Sequence, residues 1–209
     1  MTARERLWMP DFIYLASQSP RRRQLLEQIG IRHRLLLPDD AVAAEALEAV
    51  RARESPRAYV RRVTLLKLDA AALRLAERGL PAAPVLCADT TVALGPRILG
   101  KPSDGDEAAG MLRALSGRSH RVITAVALQA GGERYEAISD SRVRFATLDD
   151  ARIGAYIASD EWHGKAGAYA IQGRAAAFIA HITGSYSGIM GLPLFEAAQL
   201  LQRSGVKPT

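Results

Sequence analysis

The sequence predicts an α/β protein, a mixed sheet flanked by helices in two lobes. Three observations lead there. The stretch "FIYLASQSPRRRQLLEQIG" runs from an apolar β-type segment through a polar turn into a helix, the opening unit of an α/β domain. Downstream, β-rich stretches alternate with segments of helical spacing, which separates this chain from all-α and all-β classes. Finally, two long β-type segments flank Gly131-Gly132, a hairpin signal that makes part of the sheet antiparallel. No internal repeat and no linker interrupts the chain. The expected organisation is an N-terminal extension over residues 1–11 and one domain over 12–209.

The elements follow in order. "FIYLA" (12–16) reads as a buried strand feeding a helix with Ser19 as N-cap, Pro20 at the first helical position and Gly30 as its stop. Residues 39–57 are rich in Ala, Glu and Arg and turn at "ESPR"; helix and loop are not separable there. Residues 56–78 form a helix bracketed by Pro56 and Gly79, with Tyr59, Val63, Leu66 and Leu73 as its core face. "PVLCADTTVAL" (84–94) is a strand interrupted by Asp89, and "ILGKP" follows a turn at Gly95-Pro96. "DEAAGMLRALSG" is a short amphipathic helix ended by Gly117. The hairpin pairs "HRVITAVALQA" with "RYEAISDSRVRFATL", where Val143 and Phe145 alternate inward. A helix over 149–159, the glycine-studded "GKAGAYAIQG", a strand "AAAFIAHI", a glycine loop "TGSYSGIMG" and a helix over 194–203 complete the reading.

Composition bounds the function. The chain has 209 residues, enough for a sizeable core, and 48% are hydrophobic, which excludes a disordered tail protein. A net charge of +6 favours an anionic partner. The single cysteine, Cys87, excludes an internal disulfide framework and a thiolate metal site; between apolar neighbours it reads as a buried strand residue. No apolar run approaches the roughly 18 residues of a membrane span. The start "MTARERLWMPD" is too charged for a secretory signal, so a cytoplasmic location is expected.

The helix start at Pro20 poses an electrostatic problem. Its N–H groups already carry partial positive charge, yet the first turn holds Arg21, Arg22 and Arg23. A polyanion at this end resolves the repulsion, since backbone N–H groups, the Ser17 and Ser19 hydroxyls and the guanidiniums then converge on phosphate oxygens. The alternative is ordinary capping with the arginines in solvent. Asp89 is costly in an apolar strand unless paired, hydrogen-bonded or bound to a cation; beside phosphates it suits holding Mg²⁺ or activating water. It could also cap a turn at a strand end. Lys101, on a tight turn between Gly100 and Pro102, either meets phosphate charge or is simply solvated. Lys67, beside the apolar face of its helix, either snorkels or points into a site. Lys165 and Gln172 flank "AGAYAIQ", where Gly164, Gly167 and Gly173 allow close backbone approach, and a glutamine reads a base edge with both donor and acceptor.

Other chemistries fail on spacing. His33, His120, His163 and His181 form no metal-ligand pattern, and neither GxxxxGK[ST] nor GxGxxG occurs. Aromatic residues make up 6% of the chain and no nucleic-acid-binding motif is present, so a nucleic-acid partner is not expected.

Taken together and in order, "LASQSPRRRQLL", "ADTTV" with "ILGKP", "MLRALSGRSHRVITAVAL", "GKAGAYAIQG" and "GSYSGIMGLPLFE" resemble the Maf family of nucleoside triphosphate pyrophosphatases over nearly the whole chain. The resemblance implies two lobes around a central nucleotide cleft, a homodimer, and hydrolysis between the α and β phosphates with a divalent cation, Mg²⁺, Mn²⁺ or Co²⁺. It makes Asp89 the proton acceptor for the attacking water, with a share in metal binding. It puts Ser17, Ser19, Arg21, Arg22, Lys67 and Lys101 on the phosphates and ties Thr90 and Gln172 to nucleotide selection. The "KAGAYAIQG" wording, with Lys165, resembles the branch acting on dTTP and UTP, with modified pyrimidine triphosphates as further candidates.

The chain departs from the family pattern in two places within the domain. Gly164 stands where the family usually has an acidic residue, and the family's glutamate after the second strand has no clean match in "LLLPDDAVAAEALE", leaving Asp40 or Glu45 as second metal ligand. The alternative function is a nucleotide-binding, non-catalytic regulator of cell division and septum formation, a process to which the family has been linked.

Overall fold

The computed structural model describes residues 11–206, so the expected extension lies outside the described residues except for Asp11. Seven strands form one mixed sheet: β1 (Ile13–Leu15), β2 (His33–Leu35), β3 (Val85–Leu94), β4 (Arg97–Leu99), β5 (Ser119–Ala130), β6 (Glu133–Phe145) and β7 (Ile179–Thr183). Their order is β2-β1-β3-β5-β6-β7, with β4 paired to β3. β1 is parallel to β2 and β3, and every other pairing is antiparallel.

The helices are α1 (Pro20–Gln28), α2 (Ala41–Ala46), α3 (Pro56–Glu77), α4 (Gly105–Leu115), α5 (Asp150–Ile157), α6 (Tyr186–Met190) and α7 (Leu194–Arg203). Helix α3 starts where Ser55 accepts a hydrogen bond from the Ala58 amide, and Pro56 needs no hydrogen-bond partner at that position. It covers one face of the sheet, packing Tyr59, Val60 and Val63 on Ile123 and Ala125, and Leu68 and Ala71 beside Val85 and Cys87. Helices α1 and α7 cover the other face through Leu25, Leu26, Leu200 and Leu201 against Leu86, Val126 and Leu128. A further cluster around Phe145, Leu112, Trp162 and Tyr169 lies at the far end of β3, gathered about Val92. β3 therefore runs through the cores, and its polar residues sit between them. Cys87 is buried as expected, and burial pushes its thiol up to about 12.

Three sequence expectations change. Leu73 is 61% exposed, because the buried stripe of α3 runs through Val60, Val63, Thr64, Leu68 and Ala71. At 100° per residue Leu73 lies about 150° from the middle of that stripe. The strand expected over 175–182 begins only at Ile179. Residues Arg174–Phe178 wind into a 3₁₀ turn, in which three successive alanines supply no β-branch and Ala176 N–H bonds to Gly173 O at 3.0 Å. The glycine loop over 183–191 contains α6, capped by the Ser185 hydroxyl on the Gly188 amide and stopped at Gly191 with φ 122°. No helix of the described residues is long and apolar enough to cross a membrane.

Candidate active site

The candidate catalytic, substrate-binding and metal-ligating residues, from Ser17, Ser19, Arg21 and Arg22 through Lys67, Asp89, Thr90 and Lys101 to Lys165 and Gln172, with Asp40 and Glu45, line one cleft of about 800 Å³ between the α1 start, α3, the middle of β3 and the 164–173 loop. The arrangement is best built outward from Asp89. At 8% exposure it sits on β3 facing α3, where Lys67 Nζ donates to Asp89 Oδ1 at 2.6 Å and to Glu48 Oε1 at 2.6 Å. Lys67 therefore points into the site. Its position on α3, one residue before buried Leu68, aims the ammonium along the sheet face instead of out to solvent.

Glu48 was not among the residues expected from sequence. Its Oε2 lies 3.1 Å from Lys101 Nζ, so one carboxylate joins both lysines. Burial opposes ionisation of Glu48, but the two ammonium groups outweigh it and hold its carboxyl below the ordinary range. Burial likewise opposes the charge on Lys101, and Glu48 with Glu45 reverses that, leaving its pKa raised. The Tyr59 hydroxyl donates to the Glu48 carbonyl at 3.0 Å and fixes the turn that carries it. Burial, followed by the charges of Asp89 and Glu48, pushes that phenol up to about 12. Glu45 reaches Lys101 at 3.3 Å, while Asp40 accepts from the Val42 amide at 2.8 Å on the cleft wall. Of Asp40, Glu45 and Glu48, it is Glu48 that lies next to the Asp89–Lys67 pair. No sequence signal separates it from Glu45, because the choice depends on where α3 places Lys67.

On the other side of β3 stands Arg22. Its Nε donates to Gly191 O at 2.7 Å, its Nη1 to Ser17 Oγ at 3.0 Å and its Nη2 to Thr90 Oγ1 at 3.4 Å. Thr90 and Thr124 hydroxyls are 2.8 Å apart, and Thr124 donates its hydrogen to Gly188 O at 2.7 Å. With that hydrogen committed, Thr90 must be the donor in the threonine pair, so its oxygen can only accept on its remaining side. Thr124, buried on β5, is a second residue the sequence reading missed; its place next to Thr90 follows from the β3–β5 register, which pairs the two positions.

Arg21 Nε reaches Met190 O at 3.3 Å and lines the cleft, as does Arg22; Arg23 does not. Ser19 occupies the N-cap of α1 without a side-chain capping bond, and no acidic residue is present in the first turn. The Ser19 amide instead donates to Ser17 Oγ at 3.2 Å. The helix start thus opens on the cleft with neither a capping oxygen nor a carboxylate to offset its dipole. Burial lowers the pKa of Arg21 and of Arg22. Opposite, Lys165 is lowered by burial and then by the charge of Arg21, and its Nζ rests on His163 O at 2.9 Å. Neither Arg21 nor Lys165 has an acidic ion-pair partner among the described residues. Gln172 is exposed at the cleft rim, and its amide makes no protein hydrogen bond among the described residues.

Lysines on a carboxylate floor, cations such as Arg21 and Lys165 without acidic partners and an uncapped helix start form a receptor for a polyphosphate. The model of the family described as Maf-like protein matches residues 12–204. The chain belongs to the Maf family. It is 63% identical over 199 residues, 95% of this chain and 100% of the relative, to the dTTP/UTP pyrophosphatase of Albidiferax ferrireducens. It is 62% identical to the dTTP/UTP pyrophosphatase of a Polaromonas species over 94% of this chain and 98% of the relative. The same identity holds to that of Ralstonia nicotianae over 93% and 94%. As a Maf protein, the chain carries in one cleft the segments from which the resemblance was read, with Gly164 at the rim in a left-handed conformation at φ 64°. That backbone favours glycine, so an acidic side chain there would be strained as well as charged.

Proposed function

We propose that this protein is a dTTP/UTP pyrophosphatase that hydrolyses its substrate to the nucleoside monophosphate and pyrophosphate. The observation that carries the reading is the Asp89 carboxylate, nearly buried and held by Lys67, within a cleft that the open α1 start and Arg21 also line. The two lobes are the parts of the fold on either side of this cleft, with the triphosphate lying between them.

Asp89 takes the proton of the attacking water as the oxygen bonds to the α phosphorus and the bond to the leaving pyrophosphate breaks. Lys67 fixes one oxygen of that carboxylate, so the other is the one that meets water. Ser17, Ser19, Arg21, Arg22 and the α1 amides bind phosphate oxygens, and Lys101 meets the departing pyrophosphate charge. Gln172 offers donor and acceptor to the pyrimidine edge, with Lys165 beside it.

Among the described residues no group of three or more His, Cys, Asp or Glu side chains converges. Two carboxylates, Asp89 and Glu48, do converge on one cation, the Lys67 ammonium. That donor set fits a hard divalent cation that takes its remaining ligands from phosphate and water, as Mg²⁺ does. Asp89 and Glu48 would hold it, and when bound it stabilises negative charge on the phosphate oxygens. The family resemblance supports a homodimer and a cytoplasmic enzyme; sedimentation analysis tests the former.

The direct test is pyrophosphate release from dTTP and UTP with Mg²⁺, Mn²⁺ or Co²⁺, comparing wild type with Asp89→Asn. Release by wild type alone is expected. Silence of the wild-type protein on every triphosphate would overturn the reading.

A further inference from the structure

Two stretches of the sequence bring buried polar residues that the reaction above does not use, "SGRSHRVITAVAL" and "GKAGAYAIQG". The fold joins them. His120 on β5 is 2% exposed, and its Nε2 lies 2.7 Å from the hydroxyl of Tyr169, which is 6% exposed. Phe145 packs edge-on against both rings, at centroid distances of 5.1 and 4.9 Å.

This pair is an expensive way to fill a core. His120 Nδ1 has no hydrogen-bond partner among the described residues. If Tyr169 donates to Nε2, the proton on Nδ1 has no acceptor; if Nε2 donates, the Tyr169 hydrogen has none. Either way one buried donor is unsatisfied, at a cost of about 1–3 kcal/mol. An apolar pair would pack there without that cost. What the polar pair adds is direction: it holds one segment at one place.

The segment it holds is strained. Gly164, Gly167 and Ala168 have φ values of 64°, 69° and 65°, and Ala168 is fully buried in a conformation that alanine rarely adopts. Such backbone persists only where its surroundings fix it. One fixture is the Gly167 amide, which donates to Gly100 O at 3.0 Å, next to Lys101. The other is Tyr169. On either side of them the loop presents Lys165 and Gln172 to the cleft.

We propose that His120 is a positioning residue for nucleotide binding, holding the 164–173 loop through the Tyr169 hydroxyl so that Lys165 and Gln172 meet the substrate. This rests on the pyrophosphatase reading. Lys165 and Gln172 hold the nucleotide equally in ground and transition states, while the reacting groups at Asp89 are anchored separately by Lys67. Loosening the loop therefore raises KM and spares kcat.

The experiment compares His120→Leu, His120→Gln and Tyr169→Phe with wild type in UTP hydrolysis. It also measures binding of the non-hydrolysable α,β-imido analogue of UTP. His120→Leu and Tyr169→Phe are expected to raise KM and the analogue Kd about 5- to 10-fold with kcat within about two-fold, the loss of roughly one hydrogen bond. His120→Gln, whose amide nitrogen can stand where Nε2 does, restores much of the affinity. Unchanged KM and Kd in both deleting variants, or a fall in kcat with KM unmoved, would overturn the proposal. If His120→Leu does not fold, Tyr169→Phe, which removes one oxygen, decides alone. Should wild type bind the analogue without turning UTP over, the pyrophosphatase reading fails while Kd still judges the tether; no binding by wild type overturns both.

Discussion

Asp89 and Thr90 are consecutive on β3 and face opposite sides of the sheet: Asp89 meets Lys67 of α3, and Thr90 meets Arg22 of α1. Substitutions at the two positions should therefore separate chemistry from binding. Asp89→Asn is expected to lower kcat by roughly 10²–10⁴-fold, the contribution of a positioned base. Thr90→Val breaks the link from Arg22 to Thr124 and leaves the Lys67 pair intact, so KM should rise about 5- to 10-fold with a smaller change in kcat. Steady-state kinetics on dTTP and UTP distinguish the two patterns.

Glu48 shares its carboxylate between Lys67 and Lys101. Glu48→Gln removes that common counter-charge and one of the two carboxylates proposed to hold the metal. The Mg²⁺ concentration for half-maximal activity should rise about tenfold, the equivalent of ~1.4 kcal/mol. A titration that leaves this midpoint in place would argue against a role for Glu48 in holding the metal.

The same residue makes stability pH-dependent. Its carboxyl is held below the unfolded value of 4.5, so the stabilisation is fully present above that value and is lost as pH falls through the lowered folded one. Thermal melts from pH 7 to 3 should show the wild-type advantage over Glu48→Gln shrinking only below about pH 4.5.

His120 contributes in a higher window. Burial pushes its imidazole from 6.5 down to about 4, so the unfolded chain takes up a proton that the folded one refuses. Stability is full above about pH 6.5 and falls by about 3 kcal/mol as pH drops to about 4. Relative to wild type, His120→Gln should flatten the melting temperature across this interval. Identical curves would place the proton uptake elsewhere.

Gly167 tests the strain in the loop. A Cβ there would lie 2.8 Å from Val92 Cγ1, on a backbone with φ of 69°. Gly167→Ala should cost roughly 2–4 kcal/mol from the left-handed conformation and the clash together. Denaturant unfolding measures it directly.

Much of this was legible in the sequence. The α1 arginines posed an electrostatic conflict, and Asp89 was a polar group in need of a partner; Arg21, Arg22 and Asp89 all line the cleft. The β5–β6 hairpin and α7 followed from spacing and turn glycines. What escaped depends on tertiary placement. Glu48 cannot be told from Glu45 until α3 brings Lys67 beside it, and Thr124 looks like any strand threonine until register sets it against Thr90. Arg22 shows the limit from the other direction. Each of its three guanidinium nitrogens contacts a protein group, Gly191, Ser17 or Thr90, which leaves two of its five N–H donors for a ligand, a division of labour that local sequence does not encode.

The acid bridging Lys67 and Lys101 has a consequence for what the cleft will ignore. With its lysines already balanced internally, this part of the surface adds little to the long-range pull of a chain whose net charge is +6. A passing polyanion gains from cations such as Arg21, Arg22 and Lys165, which have no acidic ion-pair partner among the described residues. To settle deeper, a ligand must prise ammonium from carboxylate and satisfy both signs at once, so the cleft selects by electroneutrality as well as by shape.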